Sequence, residues 1–215
     1  MTLPDALIEA AHGLSSATVH EAAGKIGALP SRIKPLAATT RLVARAFPVR
    51  SPAGDNLFLH HAIYAARRGE ALVVDCGEGE DFGAWGEVMA VAAQAAGLAG
   101  LVTSGGVRDS QAMVALDFAV FAAHVSICGT GKDPLGAGTL GDPIRLGETV
   151  VARGDLVIGD ADGVVVIPST MAMAVIAESR RRDRDEQRIF DRLKAGKTTL
   201  NLYSLPLLGA GRPDR

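Results

Sequence analysis

The stretch WGEVMAVAAQAAGLAGLVTSGGVRDS, residues 85–110, decides how the rest of the chain is read. Trp85 to Ala96 is rich in alanine, the best helix former, and Gly97 stops it. Gly100 to Thr103 follows as an apolar strand, and Val107-Arg108-Asp109-Ser110 opens another helix through Leu116. Helix, strand and helix joined by short turns are the unit of a layered α/β domain. On the N-terminal side, Ser15 to Gly24 reads as a capped short helix and Thr40 to Val49 as an alternating strand. Turn residues 51–56 then separate that strand from a helix over Leu57 to Ala66, and Ala71 to Cys76 reads as a buried strand. On the C-terminal side come a short strand at Ala119 to Ala122, a glycine-rich connection over Gly129 to Asp142, and several short strands between Ile144 and Ile167. Thr170 to Ala195 is a long charged helix. No internal repeat or low-complexity linker appears, so residues 1–215 read as a single domain with a C-terminal helix and tail from about 170.

Composition narrows the function. The chain is 48% apolar and 21% charged, as a folded globular protein is. Its net charge of -2 and its 4% of aromatic residues argue against a nucleic-acid partner, which calls for basic excess and stacking surface. Cys76 and Cys128 lie far apart, without the CxxC spacing of a structural zinc site or a disulfide framework. With no basic leader and no long uncharged apolar run, the expected location is the cytoplasm, with no membrane partner.

The chemistry is expected between Gly86 and Asp109. Gly86-Glu87 stands at the start of the clearest helix, where the first backbone N–H groups lack helical acceptors and can hold a small carboxylate. Twenty residues later, Arg108 and Asp109 emerge where a strand ends, the usual border of a ligand crevice in such folds. Magnesium takes a few carboxylates and keeps its waters, and an arginine beside it can stabilise an enolate oxygen. By residue type alone, the same set also reads as a surface ion pair and a helix cap.

These residues resemble the 4-hydroxy-4-methyl-2-oxoglutarate / 4-carboxy-4-hydroxy-2-oxoadipate aldolases, class II pyruvate aldolases of the RraA-like superfamily. The pieces are ATVHEAAGK (17–25), PAGDN (52–56), WGEVMA (85–90), GGVRDS (105–110), GTGK (129–132), GDLVIGDADGVVVIP (154–168) and LKAGKTTLNLY (193–203). The most specific is the acidic-x20-Arg-Asp pattern met by Glu87, Arg108 and Asp109. The resemblance implies an α/β fold, a swivelling β/β/α three-layer domain. It implies that Asp109 and Glu87 hold Mg²⁺ (or Mn²⁺), largely through water. The substrate carboxylate then sits on the amides of Gly86, Glu87, Val88 and Met89, and Arg108 binds the keto or enolate oxygen. It implies retro-aldol cleavage of a 2-oxo acid to pyruvate, and oxaloacetate decarboxylation through the same enolate. Glu21 and Glu186 match carboxylates that a neighbouring subunit donates, in a homotrimer or homohexamer. Where the family has Leu-Asp-x-Tyr, this chain has Leu200-Asn201-Leu202-Tyr203.

Other features read as ordinary. Gly129-Thr130-Gly131-Lys132 lacks the spacing of a phosphate loop, and Lys132 reads as a loop lysine, though it could meet an anionic substrate tail. Asp75, Glu78, Glu80 and Asp81 read as a solvated loop. His60, His61 and His124 show no metal spacing, and His20 is a candidate for the site rim only because Glu21 adjoins it. Serine-hydrolase and Schiff-base chemistry find no support. The alternative function is a non-catalytic RraA-like regulator that binds RNase E, which the fold cannot separate from the enzyme. A methyltransferase reading lacks a glycine-rich nucleoside turn.

Overall fold

The computed structural model describes residues 3–77, 81–206 and 208. The first half runs α1 (Asp5–Ala11), α2 (Ser16–Ala22), β1 (Lys34–Pro35), β2 (Leu42–Arg50), α3 (Leu57–Ala65), β3 (Glu70–Asp75), β4 (Gly83–Trp85) and α4 (Glu87–Ala96). Next come β5 (Gly100–Val107), α5 (Ser110–Ala115), β6 (Ala119–Val125), β7 (Thr139–Leu140), β8 (Ile144–Leu146) and β9 (Thr149–Val151). The chain continues through β10 (Leu156–Asp160), β11 (Gly163–Ile167), α6 (Ala172–Lys194) and α7 (Thr199–Leu202).

One sheet carries the fold, in the order β1-β6-β5-β3-β2-β10-β11, with β4 beside the end of β5 and β7 beside β2. Its middle is parallel, because α3, α4 and α5 return the chain to the same edge after each of β2, β3 and β5. Its flanks are antiparallel, β1 on β6 and β10 on β2. The sheet curls until residues 27–29 bond to β11, through Leu29 N–H to Val164 O and Val166 N–H to Gly27 O. It is therefore nearly a closed barrel.

Period-two alternation sorts side chains between three cores. Ala44, Ala46, Ala71, Val73, Val157, Val164 and Val166 point inward, where the β8–β9 hairpin adds Ile144, Leu146 and Val151. Their alternates Phe47, Val49, Leu72 and Val74 pack outward against α3, α4 and α5. On β10 and β11 the outward set is Leu156, Ile158, Val165 and Ile167, covered by α1, α2 and α6. Gly159 is required on the inner face, since a Cβ there would lie 2.6 Å from the Phe121 ring.

Several boundaries differ from those expected. Trp85 is not helical: it pairs with Val107 in β4, and the helix starts two residues later, after extended Gly86. The expected strand at Gly100–Thr103 runs on to Val107, which moves the start of α5 to Ser110. The glycine-rich connection contains β7, and α1 and α7 are additional helices. Asn201, where the resemblance led to an aspartate, lies inside α7, and its N–H donates to the capping Thr198 Oγ1.

The layer that contains α2 is pinned to the sheet by a buried polar contact. Asp160, at the end of β10, accepts from Ser16 N–H (2.8 Å), Ser16 Oγ–H (2.6 Å) and Asp162 N–H (3.0 Å), which fixes the start of α2. Burial alone raises the Asp160 carboxyl, but these hydrogen bonds and Arg41 outweigh it and hold the group below its ordinary 3.8. A depressed value stabilises the fold above the unfolded-state value and is lost as pH falls through the folded one. Asp160→Asn is expected to cost on the order of 1–3 kcal/mol at neutral pH. Thermal melts of the parent should lose stability below about pH 4 more steeply than melts of the variant.

Candidate active site at the end of β5

All eight residues of β5 are buried, so Arg108 and Asp109 are the first side chains after it to reach solvent, each about half exposed. Arg108 N–H donates to Trp85 O (2.8 Å), which fastens this corner to β4. Trp85 is itself buried and stacks on Phe118, with ring centroids 6.5 Å apart. Asp109 adopts left-handed backbone, φ 56° and ψ 36°, a conformation that costs a non-glycine residue on the order of 1 kcal/mol. That geometry turns its carboxylate back to α4: Glu87 N–H donates to Asp109 Oδ2 (3.2 Å), and Arg108 Nε lies 3.7 Å from the same oxygen. Gly86 makes the approach possible, because a Cβ there would sit 2.5 Å from Asp109 Oδ2.

Gly86, Val88, Met89, Arg108 and Asp109 thus line one cavity of about 200 Å³. The amides are less free than helix-start logic alone suggests. Glu87 N–H is taken by Asp109, and Met89 N–H donates back to Gly86 O (3.1 Å). Val88 N–H makes no hydrogen bond among the described residues. The Glu87 carboxylate is exposed and does not line the cavity.

The structure adds Asn56, His60 and Lys132 to the wall. Asp55 explains how they arrive. This buried carboxylate accepts from Leu57 N–H (2.7 Å) at the start of α3 and from Asp133 N–H (2.6 Å) in the glycine-rich connection. Asn56 N–H to Gly131 O and Gly131 N–H to Gly54 O complete the clasp. PAGDN and GTGK are therefore one unit, which brings Lys132 to the cavity that Arg108 lines. Asn56 Nδ2 donates to Ala84 O (2.9 Å). Burial, then the Lys132 charge and then His61 push the His60 imidazole below its ordinary 6.5, so it is neutral at pH 7. The sequence signal for this group was the pair of glycine-flanked motifs, which carries no information on contact between them.

Glu21 and Glu186 lie elsewhere. Glu21, on α2, is 3.7 Å from Arg182 on α6, and Glu186 borders a shallow depression with Gly13, Ser15 and Asp183. His20 Nδ1 meets Ile26 O (3.0 Å), not the cavity rim. Of the acidic loop, Asp75 Oδ1 accepts from Gly77 N–H and Asp81 borders a different cavity, while Glu78 and Glu80 lie outside the described residues.

The donor set suits magnesium or manganese better than a caged metal. Among the described residues no three His, Cys, Asp or Glu side chains converge. Asp109 offers one carboxylate beside the cavity, which a hydrated divalent cation accepts, while Glu87 meets Asp109 through its backbone N–H and not through its exposed carboxylate.

Comparison with known proteins gives the family of this fold, which carries its Arg-Asp pair at the end of β5. Residues 7–166 match the model of the RraA-like family, described as aldolase/RraA, and the chain belongs to that family. A protein of Halalkalibacterium halodurans, provisionally named 4-hydroxy-4-methyl-2-oxoglutarate aldolase, is 34% identical over 159 residues, 74% of this chain and 75% of that one. The crystal structure of an uncharacterized Pseudomonas syringae protein superposes with a TM-score of 0.79 at 24% identity, covering 92% of this chain and 96% of that one. Streptomyces coelicolor RraAS2, described as an unusual member of the RNase ES inhibitor RraA family, superposes at 0.73 with 20% identity over 89% and 99% of the two chains. These structures share the fold. No helix among the described residues is long and apolar enough to cross a membrane.

Two measurements test the geometry. Asp55→Asn removes one of two charge-assisted hydrogen bonds, worth about 1.5–3 kcal/mol, so the Asp133 amide should exchange hydrogen at least roughly tenfold faster. Lys132→Ala removes the second-largest influence on His60, so its NMR titration midpoint should rise yet stay below 6.5, because burial persists.

Proposed function

We propose that this chain is a divalent-metal-dependent lyase that cleaves 4-hydroxy-4-methyl-2-oxoglutarate or a close 2-oxo acid to release pyruvate, and decarboxylates oxaloacetate through the same enolate. The observation that carries the reading is the placement of Arg108 and Asp109, at the end of a wholly buried strand and against the first turn of α4, in the wall of one small cavity. Kinship with a protein provisionally named as such an aldolase supports it.

The Val88 amide and the positive end of α4 receive the substrate carboxylate. Arg108, half exposed and tied to β4 through its backbone, directs its guanidinium at the 2-oxo oxygen. Asp109 and Glu87 would hold Mg²⁺ or Mn²⁺, which supplies Lewis-acid polarisation of the keto group when bound. A water oriented by Arg108 takes the proton of the C4 hydroxyl. The C3–C4 electron pair then passes into the 2-oxo fragment, Arg108 stabilises the enolate charge as it develops, and protonation at C3 gives pyruvate. With oxaloacetate, the same bond breaks and carbon dioxide leaves. Lys132 stands where a distal carboxylate extends, and neutral His60 adds no competing charge.

Glu21 and Glu186 project from α2 and α6 and line no part of this cavity, so a role for them at the site requires another copy of the chain. A homotrimer or homohexamer with interface sites meets that need.

The test couples pyruvate release to lactate dehydrogenase, with both substrates, in Mg²⁺, in EDTA and with Arg108→Ala. Loss of one donor to a developing oxyanion costs roughly 10²–10³ in kcat, so a drop of that order is expected for the variant, and EDTA should abolish turnover. Turnover that survives EDTA sinks the metal-dependent mechanism, and turnover that survives Arg108→Ala sinks the site. Inactivity toward both substrates, with binding to RNase E, would favour the regulator.

A further inference from the structure

The two reactions assigned to this site make opposite demands on whatever meets the far end of the substrate. In retro-aldol cleavage of 4-hydroxy-4-methyl-2-oxoglutarate, the C4 hydroxyl loses its proton and the C3–C4 electron pair passes into the 2-oxo fragment. C4 becomes the carbonyl of a second pyruvate, and the distal carboxylate, C5, keeps its charge throughout. In oxaloacetate the distal carboxylate is C4 itself. When C3–C4 breaks, that group leaves as uncharged carbon dioxide, and its negative charge moves to the enolate oxygen at Arg108. A cation at the far end therefore holds ground state and transition state alike in the first reaction. In the second it holds the ground state more tightly, which slows the step.

The cavity wall supplies such a cation. Its charged lining residues are Arg108, Asp109 and Lys132, and Asp109 lies against Arg108 at 3.7 Å. Lys132 is held in place by its two chain neighbours. Gly131 exchanges backbone hydrogen bonds with Gly54 and Asn56, and Asp133 N–H donates to the buried Asp55 carboxylate (2.6 Å). Asp133 directs its own carboxylate to Leu135 N–H (2.9 Å). The Lys132 charge is felt by the His60 imidazole, which lines the same cavity. Neutral His60 adds an N–H donor beside Lys132 and no second charge. At about 200 Å³ the cavity is small, so a 2-oxo acid with its keto oxygen at Arg108 extends its other end to the remaining lining residues.

We propose, on the lyase reading of the same site, that Lys132 sets the balance between its two reactions, favouring retro-aldol cleavage and restraining decarboxylation. The ammonium binds the carboxylate that the aldol substrate retains, and so lowers KM for that substrate. With oxaloacetate it stabilises the charge that has to leave C4, and so lowers kcat. Removal of the charge thus moves the two activities in opposite directions, which damage to the fold does not do.

Steady-state kinetics of the full chain with both substrates test this, with the spontaneous decay of oxaloacetate subtracted. Lys132→Met keeps an unbranched apolar stem and removes the charge. Its kcat/KM for 4-hydroxy-4-methyl-2-oxoglutarate should fall at least roughly tenfold, mostly through KM. Its kcat for oxaloacetate should rise, by about fivefold for one solvent-screened charge pair. Lys132→Arg should return both values toward those of the parent. Equal losses with the two substrates, or an unchanged ratio of the two kcat values, would overturn the proposal. In that case parent turnover that is lost in EDTA and in Arg108→Ala leaves the lyase reading standing. A parent that turns over oxaloacetate alone overturns the role of Lys132, and a parent that turns over neither substrate overturns both.

Discussion

The complete burial of β5 is the constraint on which the site depends. A strand covered on both faces, with β3 and β6 as hydrogen-bonded neighbours, has no freedom of register, because a one-residue slip would exchange its two packed faces. Its end is therefore a fixed point, and the first polar residues beyond it are held as firmly as the core. Arg108 and Asp109 occupy that position. The backbone of Arg108 is bound to β4 and the carboxylate of Asp109 to the start of α4, so both groups are set by elements that are themselves immobilised by packing.

A second buried carboxylate organises the opposite wall. Asp55 joins the start of α3 to a glycine-rich loop that has little apolar surface to anchor it. The result is a pocket whose two sides derive their order from different sources, strand packing on one and a hydrogen-bonded clasp on the other. The arrangement also places cationic groups on both sides, Arg108 and Lys132, with Asp109 as the counterweight.

Much of this was legible in the sequence where local pattern coincides with packing. The β-branched run at Ala71 to Cys76, the alanine-rich helix stopped by Gly97 and the charged α6 all form where their composition predicts. Arg108, Asp109 and the first turn of α4 meet as the helix–turn–strand spacing implies. Misreadings occurred where tertiary context overrode propensity. Trp85 looks like the first residue of a helix, yet its ring is needed in the core and its backbone in the ladder with Val107. The union of PAGDN with GTGK was invisible because it joins segments far apart through two backbone hydrogen bonds and the bond from Asp133 N–H to the Asp55 carboxylate. The short α1 and α7 lack the length for a clear period.

The left-handed backbone of Asp109 bears on how such a family diversifies. Few side chains tolerate positive φ, and asparagine is the one of equal shape that shares this tolerance with aspartate. Exchange of one carboxylate oxygen for an amide nitrogen keeps the turn, the start of α5 and the packing behind it, yet removes the charge that faces Arg108. A fold of this kind can shed its chemistry in a single step and persist as a binding protein, so enzymes and non-catalytic relatives can stand as immediate neighbours in sequence space.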